Sequence, residues 1–204
     1  MGKIKLVAFD LDGALLRGDT VCLSIAKELG HYDRMLEMEE ASESGLIDSH
    51  RKEMASWYLE SGRERVDSGL KNVTLAPGAE EGCRLLAHHG VTIAIVSVTW
   101  QFAVETFAKR LGATHHIATA LDWTTGEIDN FYGEDKGPWL EQFMSEQDLS
   151  KDQVASVGDT MSDNSLLLAA GTGFCVGGRC MSIEGVRQRP DANIFDLAEE
   201  ILNL

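Results

Sequence analysis

The chain has 204 residues, 44% hydrophobic and 25% charged, ordinary proportions for a globular protein with room for one core domain and a modest insertion. Its 33 acidic against 18 basic residues leave a formal net charge of −15, which argues against nucleic acid and anionic membrane as partners, because both demand positive surface. No stretch approaches the roughly 20 apolar residues of a membrane span, the apolar run at the start is too short for a signal peptide, and Cys22, Cys83, Cys175 and Cys180 form no CxxC pair and read as idle or buried thiols, so a cytoplasmic, reduced protein is expected.

The first predicted strand, Ile4–Phe9, is apolar throughout and runs into Asp10-Leu11-Asp12-Gly13. Residues i and i+2 of a strand share a face, so two carboxylates leave one strand tip together. They repel each other unless a cation lies between them or one holds a proton. A strand capped by an Asp-Gly turn shows the same letters, but metal-assisted chemistry asks for this pair and folding does not.

No strand is expected between Leu16 and Leu75. Val21–Leu29, Arg34–Ser42 and His50–Val66 read as helices and carry much of the charge. Pro77 and Gly78 mark the return to strand-helix alternation. Residues 1–16 and 76–204 therefore read as the core domain, and 17–75 as a helical insertion. Ligands of open α/β sheets bind beyond the carboxyl ends of the strands, so such an insertion would roof the site.

After Gly78 the pattern alternates. A helix over Gly78–His88 precedes a strand over Val91–Ser97, which ends in the hydroxyl of Ser97. A helix over Phe102–Leu111 stops at Gly112, a usual C-terminal glycine. Next come a strand over His116–Ala120, a small hairpin over Leu121–Phe131, and Lys136 just ahead of a helix over Pro138–Met144. A strand over Val154–Val157 ends in Gly158-Asp159, with Asp163 four residues on. A helix over Asn164–Ala170, a strand over Gly173–Val176 and a helix over Ile194–Leu202 complete the chain. Short strands that are apolar on every residue suit a parallel sheet buried on both faces, and the alternation predicts a doubly wound α/β fold.

Each polar station also has a plain reading. Ser97 suits a strand cap, and Lys136 suits a solvated lysine beside Glu134 and Asp135. Asp159 and Asp163 suit a turn and a helix N-cap, and Gly177-Gly178 a turn. His88, His89, His115 and His116 read as surface or packing residues. Convergence of Asp10, Asp12, Asp159 and Asp163 in one crevice would instead make a site for a hard cation such as magnesium.

DLDGALL, IVS, Lys136 and GDTMSD, in this order, resemble the four motifs of the haloacid dehalogenase superfamily. The helical insertion resembles the cap of its phosphoserine phosphatase-like group, and the lysine-glycine of KGPWL fits that group. The resemblance implies a Rossmann-like core with a small helical cap after the first strand. It implies a magnesium-dependent phosphatase acting on a small phosphorylated metabolite, phosphoserine-like, through an aspartyl-phosphate. Asp10 would be the nucleophile and Asp12 the general acid and base. The metal would be held by Asp10, Asp159 and the Asp12 backbone carbonyl, with Asp163 on its waters or on Lys136. Ser97, Val98, Thr99 and Lys136 would grip the phosphoryl group.

The departures from the group are Ala14 in place of threonine after the first motif, Ser162 in place of asparagine, and Val98-Thr99 in place of a glycine-rich turn. The cap acid appears as Asp19, and the cap arginine would fall near Ala55, with Arg51 and Lys52 off register. Asp19, Arg51, Lys52, Trp57 and Tyr58 are expected to set the substrate, although Trp57 and Tyr58 also read as helix-pair core. Two alternatives use the same residues: a phosphotransferase passing the phosphoryl group to an alcohol such as homoserine, and a non-catalytic binding protein of the same fold.

Overall fold

The computed structural model describes residues 3–41, 46–177, 180 and 183–204. Its centre is a seven-stranded sheet in the order β6-β5-β4-β1-β7-β8-β9. These strands are β1 (Leu6–Phe9), β4 (Thr92–Trp100), β5 (His115–Leu121), β6 (Ile128–Asp129), β7 (Val154–Gly158), β8 (Thr172–Cys175) and β9 (Val186–Gln188). All neighbours pair in parallel except β5 with β6, whose antiparallel pairing forms the expected hairpin.

The continuous apolar run of β1 follows from its central place. Alternate side chains serve opposite faces. Val7 and Phe9 join Ala79, Cys83 and Leu86 of α5 (Ala79–His88), Phe102 and Phe107 of α6 (Gln101–Leu111), and Ile194 and Leu197 of α9 (Ile194–Leu202). Leu6 and Ala8 join Leu140 and Phe143 of α7 (Lys136–Glu146) and Leu166 and Ala169 of α8 (Asn164–Ala169).

Between β2 (Leu16–Arg17) and β3 (Thr74–Leu75) the described residues form four α-helices: α1 (Val21–Leu29), α2 (Tyr32–Glu40), α3 (Ile47–Ser61) and α4 (Arg63–Leu70). Thr20 caps α1 by accepting from the Leu23 N–H at 3.1 Å, and Gly30, at φ +86°, ends it in the left-handed conformation. Tyr58 of α3 packs edge-on to Trp100 at 5.4 Å and to Phe102 at 5.8 Å, which seats the helices on the β4–α6 junction.

Four expectations are corrected. β2 and β3 pair antiparallel as a two-residue ribbon at the root of the helical segment, where no strand was expected. The helix expected over His50–Val66 is two helices, broken at Gly62 with φ +78°. β9 adds an edge strand whose Arg187 and Gln188 gave no apolar signal. Cys175 and Cys180 are bonded to each other rather than idle, because the chain after β8 folds back and brings Cys180 Sγ to 3.9 Å from the Gly158 carbonyl. Cys22 and Cys83 carry free thiols. Ser42, at the end of one predicted helix, and Gly178 lie outside the described residues.

Candidate active site

Asp10 stands at the tip of the central strand, and its N–H donates to the Val157 carbonyl at 2.8 Å, extending the β1–β7 pairing by one residue. The chain then turns sharply over Leu11–Leu15. Gly13 has φ +83°, and a Cβ there would run into the Asp159 carboxylate. Only glycine allows both the backbone conformation and the contact. The first turn is thereby pressed against the tip of β7.

Lys136 opens α7 and is fully buried. Its Nζ donates to Asp10 Oδ1 at 2.7 Å and to Asp163 Oδ1 at 2.6 Å. The other oxygen of Asp163 accepts from the backbone N–H groups of Asp159 at 2.9 Å and Thr160 at 3.0 Å. Gly158 has no room for a Cβ against Asp163, so the β7 tip closes tightly around this carboxylate. Oxygens of the buried residues Asp10, Asp159 and Asp163 lie within 4.8 Å of one another.

Burial alone would weaken the charge of Lys136, but Asp10 and Asp163 outweigh it and hold the ammonium charged beyond its ordinary range. Asp10 is pushed well above the usual carboxylate range, first by burial and then by the charge of Asp163, with Lys136 opposing. Three buried carboxylates face one buried ammonium, and the donor set is oxygen only. That excess negative charge and that chemistry fit a hard divalent cation.

Asp12 points elsewhere. Its Oδ1 accepts from the Val21 N–H at 2.8 Å, at the N-terminus of α1. Burial raises its pKa from 3.8 to about 6, with Glu39 and Asp159 acting in the same direction and the Val21 N–H against them. A carboxyl so tuned can carry a proton near neutral pH.

Two cavities meet at Asp12 and Val98. The inner one, of about 160 Å³, is lined by Asp10, Ser97, Asp159, Thr160 and Ser162. Ser97 is buried within β4, which runs three residues past the expected strand end at Ser97 with an irregular register between Val96 and Trp100, and its Oγ accepts from the Thr99 N–H at 3.4 Å. The outer one, of about 190 Å³, reaches under α2 and α3 and touches Thr99.

Not every expected residue faces these cavities. Asp19 is exposed and lines neither, because it precedes the α1 N-cap and turns outward. The acid that the helical segment brings to the outer cavity is Glu39, which accepts from the Thr20 hydroxyl at 2.6 Å. Lys52 is exposed, and Ala55 is buried in the core. Trp57 and Tyr58 are packing residues, Trp57 stacking on His31 at 4.4 Å. Arg51 does reach the outer cavity. His115 packs on Phe143, and His116 Nδ1 pairs with Gln101 at 2.8 Å.

Met35, Met38, Glu39, Ile47, His50 and Met54 line the outer cavity but were not singled out from the sequence. Their signal was present: 35/38/39 and 47/50/51/54 are each one face of a helix. Which face turns to the sheet is decided only by how the helices pack.

A family model for haloacid dehalogenase-like hydrolases matches residues 7–168. The chain is 26% identical to a phosphoserine phosphatase of Methanocaldococcus jannaschii over 183 residues, covering 85% of this chain and 86% of that protein. It is 25% identical to a phosphoserine phosphatase of Streptomyces coelicolor over 98% of this chain, but spans only 50% of that protein's length. A solved phosphoserine phosphatase, captured as a phospho-aspartyl intermediate analogue, superposes with a TM-score of 0.80 at 21% identity, over 98% of this chain and 99% of that one. A HAD family hydrolase from Salmonella enterica serovar Typhi superposes with a TM-score of 0.83 at 16% identity, over 96% of this chain and 71% of that one. These structural likenesses establish a shared fold. Among the described residues, no helix is long and apolar enough to cross a membrane.

Proposed function

The chain belongs to the haloacid dehalogenase-like hydrolases, and we propose that it is a magnesium-dependent phosphatase that hydrolyses a small phosphate monoester through a phosphoryl-aspartate at Asp10. One observation carries this reading: a buried lysine bridges two carboxylates from distant segments, Asp10 and Asp163, with Asp159 beside them. Structural packing has no use for that surplus of buried charge.

In this reading residues 17–75 act as a cap over the strand tips. Lys136 fixes the Asp10 carboxylate, and an Asp10 oxygen forms a bond to phosphorus as the bond from phosphorus to the leaving alcohol breaks. Asp12 gives its proton to the departing alkoxide oxygen. It then takes a proton from the water that attacks the phosphoryl-aspartate, which frees Asp10 and inorganic phosphate. Ser97 and Lys136 hold the phosphoryl oxygens. Asp10, Asp159 and Asp163, with the Asp12 carbonyl, are the groups that would hold magnesium. Bound there, the ion would offset negative charge on the phosphoryl group and its carboxylate neighbours.

The relatives named phosphoserine phosphatase support a small phosphorylated metabolite as substrate class. A cytoplasmic setting suits such a substrate, while the Cys175–Cys180 bond is the feature that speaks against a reducing compartment. The test is turnover of p-nitrophenyl phosphate with and without magnesium. Magnesium-dependent release of phosphate that is lost in Asp10→Asn supports the proposal, and activity that survives the substitution in a pure preparation refutes the nucleophile.

A further inference from the structure

We infer that the leaving alcohol of the substrate is an uncharged, apolar group about the size of a small ring or a short branched chain, rather than an amino acid. This inference rests on the phosphatase reading above and concerns the outer cavity alone.

The two cavities share Asp12 and Val98, so a phosphoryl group in the inner one directs its ester oxygen towards the outer one. Met35, Met38, Ile47, Met54 and Val98 give the outer cavity walls of carbon and sulfur. The methionines are 5%, 1% and 7% exposed, in chain order, and are held by the cap core. Thioether side chains adapt to irregular apolar shapes. A cavity of about 150 Å³ lined by such groups accepts benzene, and this one measures about 190 Å³.

An amino acid would bring a carboxylate into this space. The guanidinium that could receive it belongs to Arg51, only 3% exposed. Its donors already serve the Val98 carbonyl at 2.9 Å, the Phe131 carbonyl at 2.8 Å and Asn130 Oδ1 at 2.9 Å, and it lies over the Tyr132 ring at 5.0 Å. Three of its five N–H donors are committed in this way, so a carboxylate would have to share a guanidinium already anchored to the sheet, beside the negative charge of Glu39. Glu39 in turn accepts from Thr20. A zwitterion would exchange the hydration of both its charges for groups that are already engaged, between walls that are mostly carbon and sulfur, so its desolvation is only partly compensated.

The experiment compares kcat/KM for three primary alkyl esters, 3-methylbutyl phosphate, O-phosphoserine and phosphoethanolamine, with acetyl phosphate as a reference whose short acyl group leaves the outer cavity nearly empty. All are assayed with magnesium and the full chain. The expected result is a preference for 3-methylbutyl phosphate of at least about tenfold over both charged esters, the size that differential burial in an apolar pocket supplies. In Met38→Gln the ratio of 3-methylbutyl phosphate to O-phosphoserine should fall at least about threefold, since an amide then faces the apolar chain. Competitive inhibition by 3-methylbutylphosphonate gives the same comparison without turnover. Turnover of acetyl phosphate with equal or better use of either charged ester overturns this inference alone. No turnover of acetyl phosphate overturns the phosphatase reading on which it stands.

Discussion

Arg51, on the helical segment, donates to the backbone carbonyl of Val98 on the sheet at 2.9 Å, one residue beyond Ser97. A second bond to the Phe131 carbonyl and a third to Asn130 make this guanidinium a clamp between α3 and the sheet. No carboxylate pairs with it among its three hydrogen-bond partners. Arg51→Met should loosen the seating of α3 on the sheet. The single proton of the Thr119 hydroxyl reaches the Val98 or the Phe131 carbonyl, each at 3.2 Å, so one of the two would keep a partner. The loss of stability should accordingly be about 1–3 kcal/mol. Steady-state kinetics should show KM rising more than kcat falls, and thermal melts should give the stability change.

Lys136 is the only cation that the described ion pairs bring to Asp10 and Asp163. Replacing it by methionine leaves buried carboxylates facing one another. The metal-free variant should lose about 3–5 kcal/mol of stability, the usual result of removing one partner of a buried pair. Turnover should fall by about a thousandfold or more, because the phosphoryl oxygens lose their charged donor. Urea unfolding and p-nitrophenyl phosphate kinetics measure the two effects separately.

The strands that build the site were legible for a physical reason. β1, β4 and β7 are buried on both faces, so their apolar runs needed no periodicity to be seen. The Asp10/Asp12 and Asp159/Asp163 pairs stood out because two acids at a strand tip have no packing use. The two-residue ribbon Leu16–Arg17 with Thr74–Leu75 could not be read, since two residues show no period. The cap acid went to Asp19 because nearness to the first motif was the guide. The packing of α2 brings Glu39 to the cavity instead, a contact across 19 residues through Thr20. Cys175 and Cys180 were misread because four intervening residues allow the two sulfurs to meet or to stay apart, and sequence spacing does not distinguish the two.

Asp12 should make the metal-free protein less stable as pH rises. Its pKa is 3.8 ordinarily and about 6 in the fold, so the folded state holds this proton more tightly. The contribution is whole below 3.8 and is lost as pH climbs towards about 6, staying lost above it. The side chain is half-buried, so the change attributable to it should be on the order of 2 kcal/mol. Urea melts from about pH 4 to about pH 7 should show it as the difference between the wild type and Asp12→Asn. A parallel pH course in both proteins would contradict the assignment.

Gly13→Ala should damage cation binding without touching a ligand. The new Cβ meets the Asp159 carboxylate at a backbone φ of +83°, so Asp159 must shift and the turn is strained. Strain of this kind costs about 1–3 kcal/mol. Magnesium should raise the melting temperature of the wild type in proportion to the logarithm of its excess over the dissociation constant, and chelation should reverse the gain. In Gly13→Ala most of that increment should be absent at the same magnesium concentration.

The central claim is that Asp10 carries the phosphoryl group. Its most direct test is acid quenching of the enzyme during turnover of acetyl phosphate with magnesium, followed by mass spectrometry of the peptide that contains Asp10. The account predicts a single phosphoryl adduct on Asp10 that is missing without magnesium and missing in Asp10→Asn. Release of inorganic phosphate at full rate with no adduct on that peptide, or with the adduct on another residue, would contradict it.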